Sequence, residues 1–148
     1  VEYTQVERGR IYALRLEEGD ELPETIEELA KMENISSALV LFLGGAEKGS
    51  QVVAGPESIE DSKIEPEVKK LPEISEAAGF GTIFPDEDDE PVLHLHAAFG
   101  HGEETITGCT RRGVPIWLTG EVIIMELLNH SASRQPDEES GFDLLNIH

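Results

Sequence analysis

The chain carries one cysteine in 148 residues, so no internal disulfide can form. That scarcity suits the reducing cytoplasm, which is the expected location. Basic residues are also scarce: 11 Lys and Arg stand against 31 Asp and Glu, for a formal net charge of −20. Attraction to phosphate needs a surplus of cations, so the balance argues against DNA, RNA and anionic membranes as partners. The cations that exist are scattered as pairs, Arg8/Arg10, Lys69/Lys70 and Arg111/Arg112, and draw no nucleic-acid footprint. No window has the apolar length of a membrane span, and the segment Val122 to Met125 suits only a short strand. The opening VEYTQVERGR lacks the charged-then-apolar order of a signal peptide. Gly44-Gly45-Ala46 is too short for a phosphate loop. The acidic run Asp86 to Glu90 lacks the glycine and spacing of a calcium loop and reads as a solvated hairpin tip.

What the chain does have is concentrated in Pro91 to Thr110, PVLHLHAAFGHGEETITGCT. Side chains alternate along a strand, so His94 and His96 point the same way. Phe99 to Glu104 read as the turn and Thr105 to Thr110 as the returning arm. If Ala98 pairs with Thr105, His94 faces Cys109 and His96 faces Thr107, which brings two imidazoles and the lone thiol onto one patch. A slip of one residue would turn Cys109 to the other face. His94, His96 and Cys109 are ligand types suited to zinc or another divalent transition metal. Three protein ligands leave one tetrahedral position open. The plainer alternative is a hairpin whose histidines satisfy hydrogen bonds and whose cysteine fills core space. His101 at the turn tip is a further candidate ligand. His130 and His148 fall in loop and tail positions that suit solvated side chains.

The remaining elements predict a single domain over residues 1–148, mostly antiparallel β with one main helix. Arg10 to Leu16 reads as a strand with Ile11, Ala13 and Leu16 inward and Tyr12 and Leu14 on the other face. Leu22, Ile26, Leu29, Ala30 and Glu33 form one helical stripe, opened by Pro23 and stopped at Asn34. Ser37 to Leu43 is apolar on both faces and is expected to be central, followed by Gly44-Gly45, which permits close backbone approach. Gly55 to Glu65 reads as an irregular connection, and Gly79 and Gly81 suggest a bulge or kink in the strand from Ile74 to Phe84. Ile116 to Leu128 is apolar on both faces, with Val122 and Ile124 on one and Ile123 and Met125 on the other. A sheet of this kind needs cover on both sides, and one helix is scant cover, so a homo-oligomer is expected. Asn129 to Gly141 reads as a mobile polar loop before a last strand, Phe142 to Ile147.

The order of these features resembles a known family. Gly9-Arg10 opens the first strand, then come the helix, Ala38-Leu39-Val40 leading to Gly44-Gly45, and Gly79-Phe80-Gly81. Pro91-Val92-Leu93-His94-Leu95-His96 follows, then Gly108-Cys109, Gly120-Glu121-Val122-Ile123-Ile124, and finally Arg134, Asp137, Gly141-Phe142 and Leu144-Leu145. Together they resemble the plants-and-prokaryotes-conserved (PPC) domain in its free-standing prokaryotic form. The resemblance implies an α+β fold, an antiparallel sheet flanked by a helix, and assembly as a trimer. It also implies a metal site in some members, built from the His-x-His pair and a third histidine whose position is taken here by Cys109. A thiolate is also a good zinc ligand. Plant members add an AT-hook that contacts DNA, and no Arg-Gly-Arg-Pro hook is present here.

Three functions are therefore weighed. The first is a trimeric metal-binding module, with zinc as the expected metal, that serves assembly or binds a small anionic ligand. The second is a zinc-dependent enzyme on a small acyl or keto-acid substrate, with Glu121 or Glu104 moving the proton and Arg111 or Arg112 holding the anion. The third is a DNA-binding regulator, which the charge disfavours.

Overall fold

The computed structural model describes residues 1–60, 63–138 and 140–147. Its strands are β1 (Glu7–Glu17), β2 (Glu21–Leu22), β3 (Ala38–Ala46), β4 (Gln51–Glu60), β5 (Lys63–Lys70), β6 (Ser75–Pro85), β7 (Pro91–His101), β8 (Glu104–Cys109), β9 (Val114–Leu128), β10 (Ser133–Pro136) and β11 (Asp143–Asn146). The helix among the described residues is α1 (Glu24–Met32). The main sheet runs β1-β9-β3-β6-β7-β8-β4-β5, with β2 on β9, and its pairings are antiparallel. β10 and β11 pair separately. This is the α+β, mostly antiparallel architecture that the pattern of short turns predicted.

The helix follows its stripe. Ile26 and Ala30 are buried, and Leu29 packs against the same core. The carbonyl of Pro23 accepts the amides of Ile26 and Glu27, and Asn34 ends the helix in the left-handed region at φ 55°. Inner-face residues of β1, β9, β3, β6, β7 and β4 join α1 in one hydrophobic cluster that includes Leu16, Ile124, Val40, Ile83, Leu95 and Val52. β3 is central, between β9 and β6, as its apolar run required. Close approach explains Gly44-Gly45. A Cβ on Gly44 would lie 2.7 Å from the Gly120 Cα, and one on Gly45 would lie 2.4 Å from the Trp117 carbonyl oxygen.

Several expectations are corrected. In β1 the inward side chains are Tyr12, Leu14 and Leu16, whereas Ile11 and Ala13 face outward. The two alternating sets both open apolar, with Ile11 and Ala13 in one and Tyr12 and Leu14 in the other, and only their continuations, Arg15 and Glu17 against Leu16, mark the second as inward. The register shift between Arg8 and Ile11 at Gly9-Arg10 sets the phase. Gly55 to Glu65 is not an irregular connection: β4 and β5 pair as two arms, and Asp61 and Ser62 lie outside the described residues. β6 pairs with β3 and β7 without a register shift, so Gly79 and Gly81 make no bulge. They let β7 approach instead. A Cβ on Gly79 would meet the His96 carbonyl oxygen at 2.5 Å, and one on Gly81 the His94 carbonyl oxygen at 2.4 Å. The polar segment 129–141 contains β10, and the last strand pairs with β10 rather than with the main sheet. His148 lies outside the described residues.

Candidate metal centre

The histidines stand on β7, whose burial alternates strictly. Leu93, Leu95, Ala97 and Phe99 enter the core, and His94 and His96 emerge on the opposite face. Three neighbours hold this strand. β6 pairs along its whole length, β8 pairs from His96 to His101, and the Leu93 amide donates to Glu27 Oε1 of α1 at 2.8 Å. That last bond meets a backbone donor that β8 does not reach. Residues 102–103 make the turn of the β7–β8 hairpin, with Gly102 at φ 59° in the first turn position, where a type II′ turn needs glycine.

The register differs from the expected one by two residues. Ala98 pairs with Thr107, and His96, not His94, stands opposite Cys109. The turn is two residues long rather than six, which draws the second arm forward. An even slip preserves the face, so the convergence holds. His94 Nε2 and His96 Nε2 are 3.0 Å apart, and the ligand atoms of His94, His96 and Cys109 all lie within 4.8 Å of one another. Two nitrogens sharing a tetrahedral zinc at ordinary bond lengths lie about 3.4 Å apart. The spacing and the donor set therefore fit a zinc-like ion. Cys109 is buried at 4% exposure, and both histidines are exposed. Partial desolvation lowers the His94 pKa, and Arg134, His96 and Arg111 push it the same way. The shift favours the neutral imidazole, which is the form that binds metal.

A cleft of about 700 Å³ opens beside His94, His96 and Cys109. Val53, Pro56, Pro66, Phe142 and Leu144 give it apolar walls, and Arg111, Arg134 and Asp143 supply its charges. Arg134 comes from β10, is only 5% exposed, and donates from Nη2 to the carbonyl and hydroxyl oxygens of Thr82 at 3.2 and 3.1 Å. Thr82 is the β6 partner of His94, so this bond anchors the cation beside the candidate ligands. Burial lowers the Arg134 pKa, against the opposing charges of Asp143 and Cys109. Arg111 lies with its Cζ 5.5 Å from the centre of the Phe142 ring.

Other candidate residues stand elsewhere. His101 is at the hairpin tip, its Nδ1 2.8 Å from the Ile74 carbonyl oxygen, and is outside the triad. Glu104 pairs with His101 at the same tip, and Glu121 pairs with Leu43, so neither lines the cleft. Of the two arginines proposed for an anion, Arg111 lines the cleft and Arg112 does not. His130 packs edge-on against Phe84, and its Nδ1 accepts the Ala132 amide. In the sequence, Arg134 stands only among the residues that carry the family resemblance. Its role depends on a hairpin hidden in a polar segment, and the one local signal was a lone cation among Ser, Gln and Pro.

An antiparallel sheet backed by one helix, with a His-x-His strand facing a cysteine, defines an α+β domain with a candidate metal site. The chain belongs to the Plants and Prokaryotes Conserved (PCC) domain family, whose model matches residues 3–128. It is similar to a metal-containing protein from Archaeoglobus fulgidus, with 26% identity and a TM-score of 0.81 over 97% of this chain and 98% of that one. It has the fold of a plant- and prokaryote-conserved protein from Pyrococcus horikoshii, at 22% identity and a TM-score of 0.83, with coverage of 100% and 99%. Proteins of the same fold from Ralstonia eutropha and Bacteroides thetaiotaomicron are named for a suspected DNA-binding role, at 22% and 15% identity. Among curated proteins, the chain is 28% identical over 139 residues to the bifunctional protein GlmU of Synechococcus sp. strain JA-3-3Ab, covering 93% of this chain and 20% of that protein. The chain thus spans about a fifth of the length of the curated relatives it matches.

Proposed function

We propose that this domain is a metal-binding module in which His94, His96 and Cys109 hold zinc or another divalent transition metal, with the adjacent cleft receiving a small anionic ligand. The observation that carries the reading is the convergence of two imidazoles and the lone thiol within 4.8 Å on one face of the β7–β8 hairpin. The metal-containing relative from Archaeoglobus fulgidus supports it. Three protein ligands leave a tetrahedral zinc one position open toward an exchangeable group. The ion would supply Lewis acidity there. The reading stops at binding, because the carboxylates weighed as proton carriers, Glu104 and Glu121, stand away from the cleft.

Self-association belongs to the same proposal. Ala13, Ile123, Leu41, Phe80 and His96 form one cross-strand row on the outward face. Phe80 is 69% exposed and Leu43, on the same face, 58%. Copies of this chain covering that row as a trimer would bury it. For nucleic acid, the −20 charge offers no attraction to phosphate. Retention on DNA at moderate salt, falling steeply as salt rises, would contradict that part of the proposal.

The test is cobalt(II) titration of metal-free protein, read by absorption. The expected result is one equivalent per chain, tetrahedral d–d bands, and a thiolate charge-transfer band that vanishes in Cys109→Ser. Removal of the ligand should also weaken zinc binding by at least about a hundredfold, since even outer supporting residues are worth tens of fold. Cobalt binding without a thiolate band, or unchanged in the variant, would sink the assignment.

A further inference from the structure

We propose that the cleft binds a small organic carboxylate with an apolar body, and that Arg134 is the residue that recognises its charge. The inference deepens the ligand-binding reading above and rests on it. Arg134 is a buried cation whose Nη2 is used by Thr82, while its Nε has no hydrogen-bond partner among the described residues. A buried charged donor left unmet is costly, and a small shift of the Arg134 side chain toward the cleft that it lines would let an oxyanion supply the acceptor it lacks. The guanidinium fork is shaped for carboxylate or phosphate oxygens.

The surroundings select between those two. Asp143 lines the same cleft and contributes a negative charge near Arg134, without an ion pair between them among the described residues. It disfavours a dianion more than a monoanion. The walls are the apolar surfaces of Val53, Pro56, Pro66, Phe142 and Leu144. They offer little to a bare phosphate and a good deal to a hydrocarbon or aromatic group. A cleft of about 700 Å³ has room for such a body. Arg111, held over Phe142, places a second positive charge at the cleft. The recognising arginine and two wall residues come from the β10–β11 segment, which follows the family match over residues 3–128. The ligand choice is thus carried by a different part of the chain from the metal ligands.

The test is calorimetric titration of the full chain, zinc-loaded and metal-free, with benzoate, benzamide, acetate and inorganic phosphate. Benzoate should bind. Benzamide lacks the charge and acetate lacks the body, so each should bind at least about tenfold more weakly, as the loss of a charged hydrogen bond or of apolar burial implies. Phosphate should also be weaker than benzoate. Arg134→Gln should lose at least about tenfold for benzoate, with Arg134→Lys in between, and cobalt binding should be kept. Arg134→Gln must keep the native circular dichroism. If it does not fold, Leu144→Asp, on a wall 48% exposed, replaces it and should show the same loss. Equal binding of benzamide, preference for phosphate, indifference to these variants, or no benzoate binding by either form would overturn the proposal. Arg134-dependent benzoate binding by protein that takes up no zinc would instead defeat only the metal reading.

Discussion

Glu126 shows how single residues hold the edge of the main sheet. It is a buried carboxylate on β9, and Arg10 grips it from β1 through Nη2 at 2.7 Å, Nε at 2.8 Å and its backbone amide at 3.0 Å. Gly9 leaves the room: a Cβ there would lie 2.5 Å from Glu126 Oε2. Gly9-Arg10 is therefore a structural clamp at the bulge, not a fragment of a DNA hook. The side-chain hydrogen bond from Arg10 holds the Glu126 pKa below the ordinary glutamate range. A depressed carboxylate pKa contributes stability above its unfolded value, and that stability is lost as pH falls through the folded value. Glu126→Gln should lower stability at neutral pH and flatten the stability-versus-pH curve in the acid limb. Denaturation midpoints measured from neutral to acid pH check this, and an unchanged acid limb would show that the clamp contributes nothing. The convergence of His94, His96 and Cys109 was legible at this scale from residue type and two-residue period. The pairing was not, because turn length fixes register and the glycines allowed more than one length. Arg134 was not legible as a buried cation lining the cleft, since its burial depends on contacts across the fold.

Among the elements, β7 is positioned mainly by what β6 lacks. Gly79 and Gly81 carry no side chain where the His96 and His94 carbonyls approach. Gly81→Ala should therefore push the two strands apart and cost about 1–3 kcal/mol, as overpacked sites do. Because the displaced strand carries the ligands, metal affinity should fall as well. Chemical denaturation and metal competition, measured on the same variant, check both halves. A variant as stable as the parent with full affinity would mean that the approach relaxes freely. The amphipathic helix and the central β3 were readable from their periods, 3.6 in one and an unbroken apolar run in the other. The faces of β1 were less plain, because both alternating sets open apolar at Ile11 to Leu14 and a register shift precedes them, so that Arg15 and Leu16 alone mark which set is inward. Least plain was β10, whose Ser, Arg, Gln and Pro carry no strand signal and whose partner lies beyond a turn.

For the molecule as a whole, charge and apolar surface act in different places. The net charge of −20 keeps copies apart in general, whereas the outward row from Ala13 to Phe80 is the exposed apolar surface on which the proposed self-association would rest. Phe80→Glu or Ile123→Glu should shift the sedimenting species toward a single chain, with the parent protein sedimenting as a trimer. A parent that sediments as a single chain would remove self-association from the account. Among the described residues no helix is long and apolar enough to cross a membrane. The row ends on His96, so the surface that would be covered and the candidate metal centre share one strand. The most direct check is a crystal structure of metal-replete protein with anomalous diffraction collected across the metal edge. The account predicts one strong anomalous peak per chain, within about 2.0–2.4 Å of His94 Nε2, His96 Nε2 and Cys109 Sγ. A peak held by other side chains, or no peak with the cysteine sulfur turned away from the two rings, would contradict it.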